Sequence, residues 1–306
     1  MYRNSQILAG FLGVFLIFLL VRFYFSDNWT DWVESEQDEI DLKTINLHGN
    51  KTEIFQRWHQ CISDNLLGFQ DSEEFWKNFV KVSAKCDSYA NLERLGIVTL
   101  RNADEKKHVL FPKTSTGSHN LFTIGIGRDI RAEKQYRRKM QKLGYQVDFI
   151  GADPIPYVNS DLYKQIGTFL PFAVGGKSGI SNARVMEKHG YTETNMVHID
   201  ISYFFKEILN VTRIDNLWFD AEGAEYNGIF EIFYRDGKFD KENIDLCQVN
   251  IEIHVSSDVE RKKVLFMEFI KRIIEEKRFG FFFGDEYIHM RMFLFNFENP
   301  YCTGKF

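Results

Sequence analysis

The residues best suited to chemistry lie in two short runs, Asp220 to Tyr226 (DAEGAEY) and Cys247 to His254 (CQVNIEIH). Asp220 directly follows LWF, the end of a buried strand expected over Ile214 to Phe219, and so is carried to the sheet rim. Asp220 and Glu222 at one strand end repel each other unless a donor, a cation or a proton sits between them. Gly223 permits a tight turn, and Glu225 falls in the first turn of the helix expected next, where capping is the role the sequence assigns it. Glu252 and His254 share one face of the following strand by its period of two. His254 is a candidate general base for a substrate hydroxyl, because its ordinary pKa lies near neutrality; a histidine bonded within the sheet fits equally well. Asp220, Glu222 and His254 also form a candidate metal-ligand set, whereas no Cys/His spacing suggests zinc.

A second constellation points to a nucleoside. Leu121, Phe122, Ile124 and Ile126 form a nearly all-apolar run expected of a parallel strand, and Gly125 and Gly127 follow as a turn that lets backbone approach a ligand. Asp129 is placed to cap the next helix and Gly144 to stop it. A strand from Val147 to Ala152 then ends at Asp153, where doubly wound sheets hold a ribose hydroxyl pair. A full G-x-G-x-x-G would need glycine at Ile130, which disfavours pyrophosphate binding. The later GGKSG is not a P-loop, since Pro171 stands where its first glycine belongs.

Elements that would position these groups alternate along the chain. Apolar residues at helical spacing from Thr52 to Val82 predict one or two helices, and GIVTL a short strand. Further strands are expected over Phe169–Val174, at a sheet edge because of Pro171, and over Met196–Ile201. Helices are expected around Tyr203–Leu209 and over Asp258–Lys277. Phe279–Phe283 and Tyr287–Phe297, joined at Gly284 and Asp285, read as a closing hairpin. The pattern predicts an α/β fold with a doubly wound, mostly parallel sheet and a C-terminal antiparallel hairpin.

The amino terminus predicts a membrane anchor. Ile7 to Phe25 is an apolar run broken only by Arg22, with Arg3 before it and seven acids between Asp27 and Asp41 after it. That asymmetry places residues 1–6 in the cytoplasm, a signal anchor at 7–25, a stem at 26–50 and a lumenal domain at 51–306, with a helical cap over about 52–88. Cleavage of the anchor, giving a secreted form, is the competing reading. Sequons at Asn28, Asn50 and Asn210 and an even set of cysteines agree with the lumen; Cys61 with Cys86 is the first expected disulfide. A net charge of -5 leaves no basic footprint for nucleic acid.

The combination of TIGIGRD, GADP, FAVGGKSG, LWFDAEGAEY and VNIEIH resembles the FkbM-type methyltransferase domain, in particular its membrane-anchored animal branch, over roughly Tyr89 to Phe297. The resemblance implies a class I, Rossmann-like fold that uses S-adenosyl-L-methionine to methylate a hydroxyl oxygen. By position, Gly125 and Gly127 would lie against the cofactor's methionine part, Asp153 would hold its ribose hydroxyls, Asp129 would be a further cofactor-binding residue, and Asp220 and Glu222 would border the transfer site. Thr123 stands where the family has an acid. The expected protein is a type II membrane O-methyltransferase of the Golgi or endoplasmic reticulum, with a glycan hydroxyl as acceptor. Two alternatives stand beside it: a binding protein that keeps the fold without catalysis, and a type II glycosyltransferase, against which the chain has no D-x-D.

Overall fold

The computed structural model describes residues 50–113, 118–187, 190–255 and 258–306; the predicted tail, anchor and stem up to residue 49, with the Asn28 sequon, lie outside the described residues. Among the described residues no helix is long and apolar enough to cross a membrane. Two helices come first, α1 (Lys51–Leu66) and α2 (Ser72–Tyr89), capped by Asn50 and Asp71, whose side chains accept from the Glu53 and Glu74 amides. Each buries one stripe, Ile54, Trp58, Ile62 and Leu66 in α1 and Phe75, Phe79 and Cys86 in α2, and the Cys61–Cys86 disulfide joins them.

Strands β1 (Val98–Arg101) and β2 (Lys106–Val109) make a small antiparallel pair. The core unit follows: β3 (His119–Ile124), α3 (Arg131–Lys142), β4 (Val147–Ala152), α4 (Asn159–Tyr163) and β5 (Thr168–Leu170). Strand β6 (Ala173–Gly175) and the hairpin of β7 (Gly179–Glu187) and β8 (Gly190–Asp200) form a separate three-stranded sheet. The chain returns through α5 (Ile201–Tyr203), extended by a π turn, to β9 (Arg213–Phe219), then α6 (Lys238–Lys241) and β10 (Asp245–Ile253). It closes with α7 (Val259–Glu276), β11 (Phe279–Glu286), β12 (Met290–Asn296) and α8 (Pro300–Lys305).

The main sheet has the order β11-β12-β10-β9-β3-β4-β5, with only β12 antiparallel to its neighbours. The chain moves outward from β3 to β5, then crosses back to β9, so the order reverses between β3 and β9 and leaves a crevice at their carboxyl ends. Both faces are covered, so β9 and β10 are buried along nearly their whole length, polar residues included. On one face Phe122 meets Phe205 from the π turn at 4.8 Å; on the other Tyr136 of α3 packs on Trp218 and Phe149.

Several sequence expectations shift. The strand expected over Phe169–Val174 is two strands in two sheets, because Pro171 lacks an N–H and the Phe172 amide folds back on the Leu170 carbonyl at 2.9 Å. The strand expected at Met196 starts at Gly190 and pairs with β7, for which the sequence offered no expectation; the polar, half-exposed faces of this hairpin carry no apolar signal. The terminal hairpin turns at residues 287–289 rather than at Gly284 and Asp285, where the register shifts instead: Phe283 takes φ +55 and Gly284 lies against Phe79 and Ser83 of α2.

Candidate active site

The glycine turn leaves β3 at the sheet crevice. Gly125 has φ +81, and a Cβ there would fall 1.7 Å from the Asp220 carbonyl oxygen, so only glycine lets β3 and β9 end side by side. Gly127 has φ +61 and nothing within 4 Å of where its Cβ would stand: it faces open space. Asp153 braces this turn. Its Oδ2 accepts from the Ile126 amide at 3.0 Å and its Oδ1 from the Ile155 amide at 2.8 Å. Burial raises the Asp153 pKa, opposed by these amide hydrogen bonds. Asp129 is not the N-cap of α3, which is Ile130; it sits one residue earlier, accepts from the Arg131 amide and guanidinium, and ties the Ala103 amide to the turn. The physical reason is Arg128 at φ +64, which delays the helix start.

Across the crevice, the ends of β9 and β10 bring a histidine into a ring of carboxylates. His254 Nε2 lies 3.4 Å from Asp220 Oδ1 and 3.5 Å from Glu222 Oε2, while Nδ1 lies 3.2 Å from Glu225 Oε1. Glu225 sits in a single 3-10 turn and is fully buried; its Oε1 accepts from the Gly223 amide at 3.4 Å, in keeping with the capping role expected from the sequence, and the same oxygen meets His254 Nδ1 at 3.2 Å. Burial disfavours the imidazolium, but the hydrogen bond and charge of Glu225, with Asp220 and Glu222, outweigh it and raise the His254 pKa to about 9. Desolvation, then the Glu252 charge, raises Asp220 well above the ordinary carboxylate value, against the pull of His254. Glu252 faces His254 at 4.0 Å but is held by Arg291, its cross-strand partner, through two hydrogen bonds of 2.8 and 3.1 Å.

Potential ligand atoms of Asp220, Glu222 and His254 lie within 4.8 Å of one another, as do those of Glu252, His254 and His289. An oxygen-rich set with one imidazole would suit Mg²⁺ or Mn²⁺ better than zinc.

These groups open on one cavity of about 470 Å³, within the range of small-molecule sites. Gly125, Gly127, Asp129, Asp153, Asp220, Glu222, Glu252 and His254 all line it, and Glu225 stands behind His254. The β1–β2 pair roofs part of it. Asn250 bonds both backbone groups of His108, and Gln248 both of Leu110, so amide side chains on β10 hold β2 as a neighbouring strand would. This brings the ion pair of Lys107 with Glu105, at 2.6 Å, to the cavity wall. Val185, Met186 and Tyr191 of the β7–β8 hairpin form another wall, tied to the glycine turn by Arg128, which donates to the Met186 carbonyl at 3.0 Å.

The sequence reading missed Glu133, Arg291 and His289. Arg291 and His289 come from the hairpin and meet Glu252 and His254 only through register. Glu133 did carry a signal, since it shares the inward stripe of α3 with Tyr136 and Met140. Of the remaining candidates, Asn50 and Asn210 are exposed and far from these groups in sequence, and a second disulfide joins Cys247 to Cys302.

No curated protein matches the chain. Among solved structures, the CMeT domain of the citrinin polyketide synthase is similar with a TM-score of 0.34 and 8% identity, over 81% of this chain. The chain spans 66% of that domain's length, just under two thirds. The model of the methyltransferase FkbM domain matches residues 61–301, from α1 to α8, and the chain belongs to that methyltransferase family.

Proposed function

We propose that this domain is an S-adenosylmethionine-dependent O-methyltransferase of the secretory pathway. The observation that carries the reading is one cavity shared by an open glycine turn and, at the next strand end, an imidazole ringed by carboxylates. The fit is physical: Gly127 exposes backbone with no Cβ in the way, and Asp153 keeps accepting capacity beside the turn it braces. When bound, S-adenosylmethionine supplies an electrophilic methyl group on a sulfonium.

The chain's own residues then orient the acceptor and take its proton. His254, drawn toward its charged form by Glu225, Asp220 and Glu222 against its burial, is the positioning group: its Nε2 faces Asp220 Oδ1 at 3.4 Å and Glu222 Oε2 at 3.5 Å. Asp220 Oδ1 makes no hydrogen bond among the described residues, and Asp220 lines the cavity, so its carboxylate is the group we assign to take the proton of the acceptor hydroxyl. Positioning of the hydroxyl oxygen contributes the larger part of the rate.

Two disulfides, exposed sequons at Asn50 and Asn210, and the apolar run 7–25 support a lumenal domain behind a type II anchor. In that compartment a glycan hydroxyl is the acceptor class we favour, and the exposed rings of Tyr191 and Tyr287 at the cavity suit stacking on a sugar face. The test is transfer of labelled methyl from S-adenosylmethionine to released glycans by the full-length chain. Alkali-stable label in the glycan, reduced about 100-fold or more in Asp220→Asn, is expected. Label confined to alkali-labile esters would contradict a hydroxyl acceptor.

A further inference from the structure

Glu133 is 1% exposed on the inward face of α3, directly below the glycine turn, and lines the cavity. Its Oε1 accepts from Thr123 Oγ1 at 3.0 Å. Thr123 can give that proton because its oxygen accepts from the Tyr163 hydroxyl at 3.1 Å, which fixes the direction of the relay from Tyr163 through Thr123 to Glu133. Glycine at 151 makes the relay possible: it neighbours Thr123 on β4, and a Cβ there would strike the Tyr163 ring at 2.7 Å.

The other oxygen, Oε2, is buried and has no hydrogen-bond partner among the described residues. Leaving such an acceptor unsatisfied is costly, and more so if it is charged. The ammonium of Lys107 is paired with Glu105 at 2.6 Å and makes no hydrogen bond to this oxygen. The relay occupies one oxygen of a residue that lines the cavity and leaves the other without a donor, an arrangement a cationic donor would complete. Burial pushes the Glu133 pKa up to about 7, against the Thr123 bond and the Lys107 charge, so an arriving cation would find a carboxylate ready to ionise.

Resting on the S-adenosylmethionine reading above, we infer that Glu133 Oε2 accepts a hydrogen bond from the ammonium group of the cofactor's amino-acid end, with Thr123 and Tyr163 positioning the carboxylate. Glu133 is thus a cofactor-binding residue supplied by the helix rather than by the strand. It selects ligands that carry the amino-acid end over those that stop at the thioether.

The test compares two ligands by titration calorimetry on the full-length chain: S-adenosylhomocysteine, which has the ammonium, and 5′-methylthioadenosine, which lacks it. Glu133→Gln should weaken S-adenosylhomocysteine about tenfold or more and change 5′-methylthioadenosine less than twofold. Equal affinities in both proteins, or equal losses on both ligands, would overturn the inference and leave the cofactor reading standing. Failure of the unsubstituted protein to bind either ligand would overturn both. If Glu133→Gln does not fold, Thr123→Val carries the same test: a loss of about threefold or more for S-adenosylhomocysteine alone supports the relay, and no selective loss overturns it.

Discussion

Single residues divide the site's work, and substitution should separate it. Gly125→Ala places a Cβ on the Asp220 carbonyl and should destabilise the fold by about 3 kcal/mol or more, since β3 and β9 must part. Gly127→Ala has room and should cost only about 1 kcal/mol, from its positive φ, while weakening cofactor binding by intruding on the cavity. Thermal unfolding read beside ligand titration distinguishes the two. His254 has a pH signature of known sign. Its folded pKa, about 9, lies above the ordinary 6.5, so its stabilising contribution is complete below about pH 6.5 and lost as pH rises through about 9. The gap in melting temperature between the unsubstituted chain and His254→Gln should therefore shrink between pH 6 and pH 9.5; a constant gap would contradict the charged imidazole. Most of these residues were legible in the sequence because strand periodicity sends Asp220, Glu252 and His254 to a sheet rim. The capping bond of Glu225 to the Gly223 amide was legible from its spacing, whereas its bond to His254 joins residues 29 apart and left no local signal.

Elements matter here through what they are pinned to. Strand β2 touches the sheet face through Asn250 and Gln248 instead of through a strand neighbour, so Asn250→Ala leaves the His108 N–H and C=O unpaired. The expected cost is about 2 kcal/mol or more in denaturant unfolding, with loosening of the Lys107–Glu105 wall. A neutral result would mean that the β1–β2 pair is held by other contacts. Buried elements were legible: β4 runs over the residues that its apolar pattern marks, and α3 stops just before Gly144. Elements outside the core were not. The β7–β8 hairpin alternates polar residues on two partly exposed faces, and the bulge at Phe283 and Gly284 mimics a turn in sequence while the strands run on past it.

Across the whole molecule, two covalent ties close loops at opposite ends of the described chain. Cys61–Cys86 fastens α1 to α2, and Cys247–Cys302 fastens α8 to β10 beneath the main sheet. Removing either should cost about 2–5 kcal/mol, read as a lower unfolding midpoint under non-reducing conditions. The sheet order itself was not written in any one motif. It emerged from alternation of strand and helix, which fixed the class of fold but not the partner of each strand, since pairing is decided by contacts distant in sequence. The central claim, a cofactor site at the crevice between β3 and β9, is tested most directly by thermal unfolding of the full-length chain with S-adenosylmethionine. At about 100 times its dissociation constant the ligand should stabilise the fold by about 2.7 kcal/mol, a shift of roughly 5 °C, and the shift should vanish in Asp153→Ala. No shift with S-adenosylmethionine, together with a clear one from a nucleotide sugar, would contradict the account.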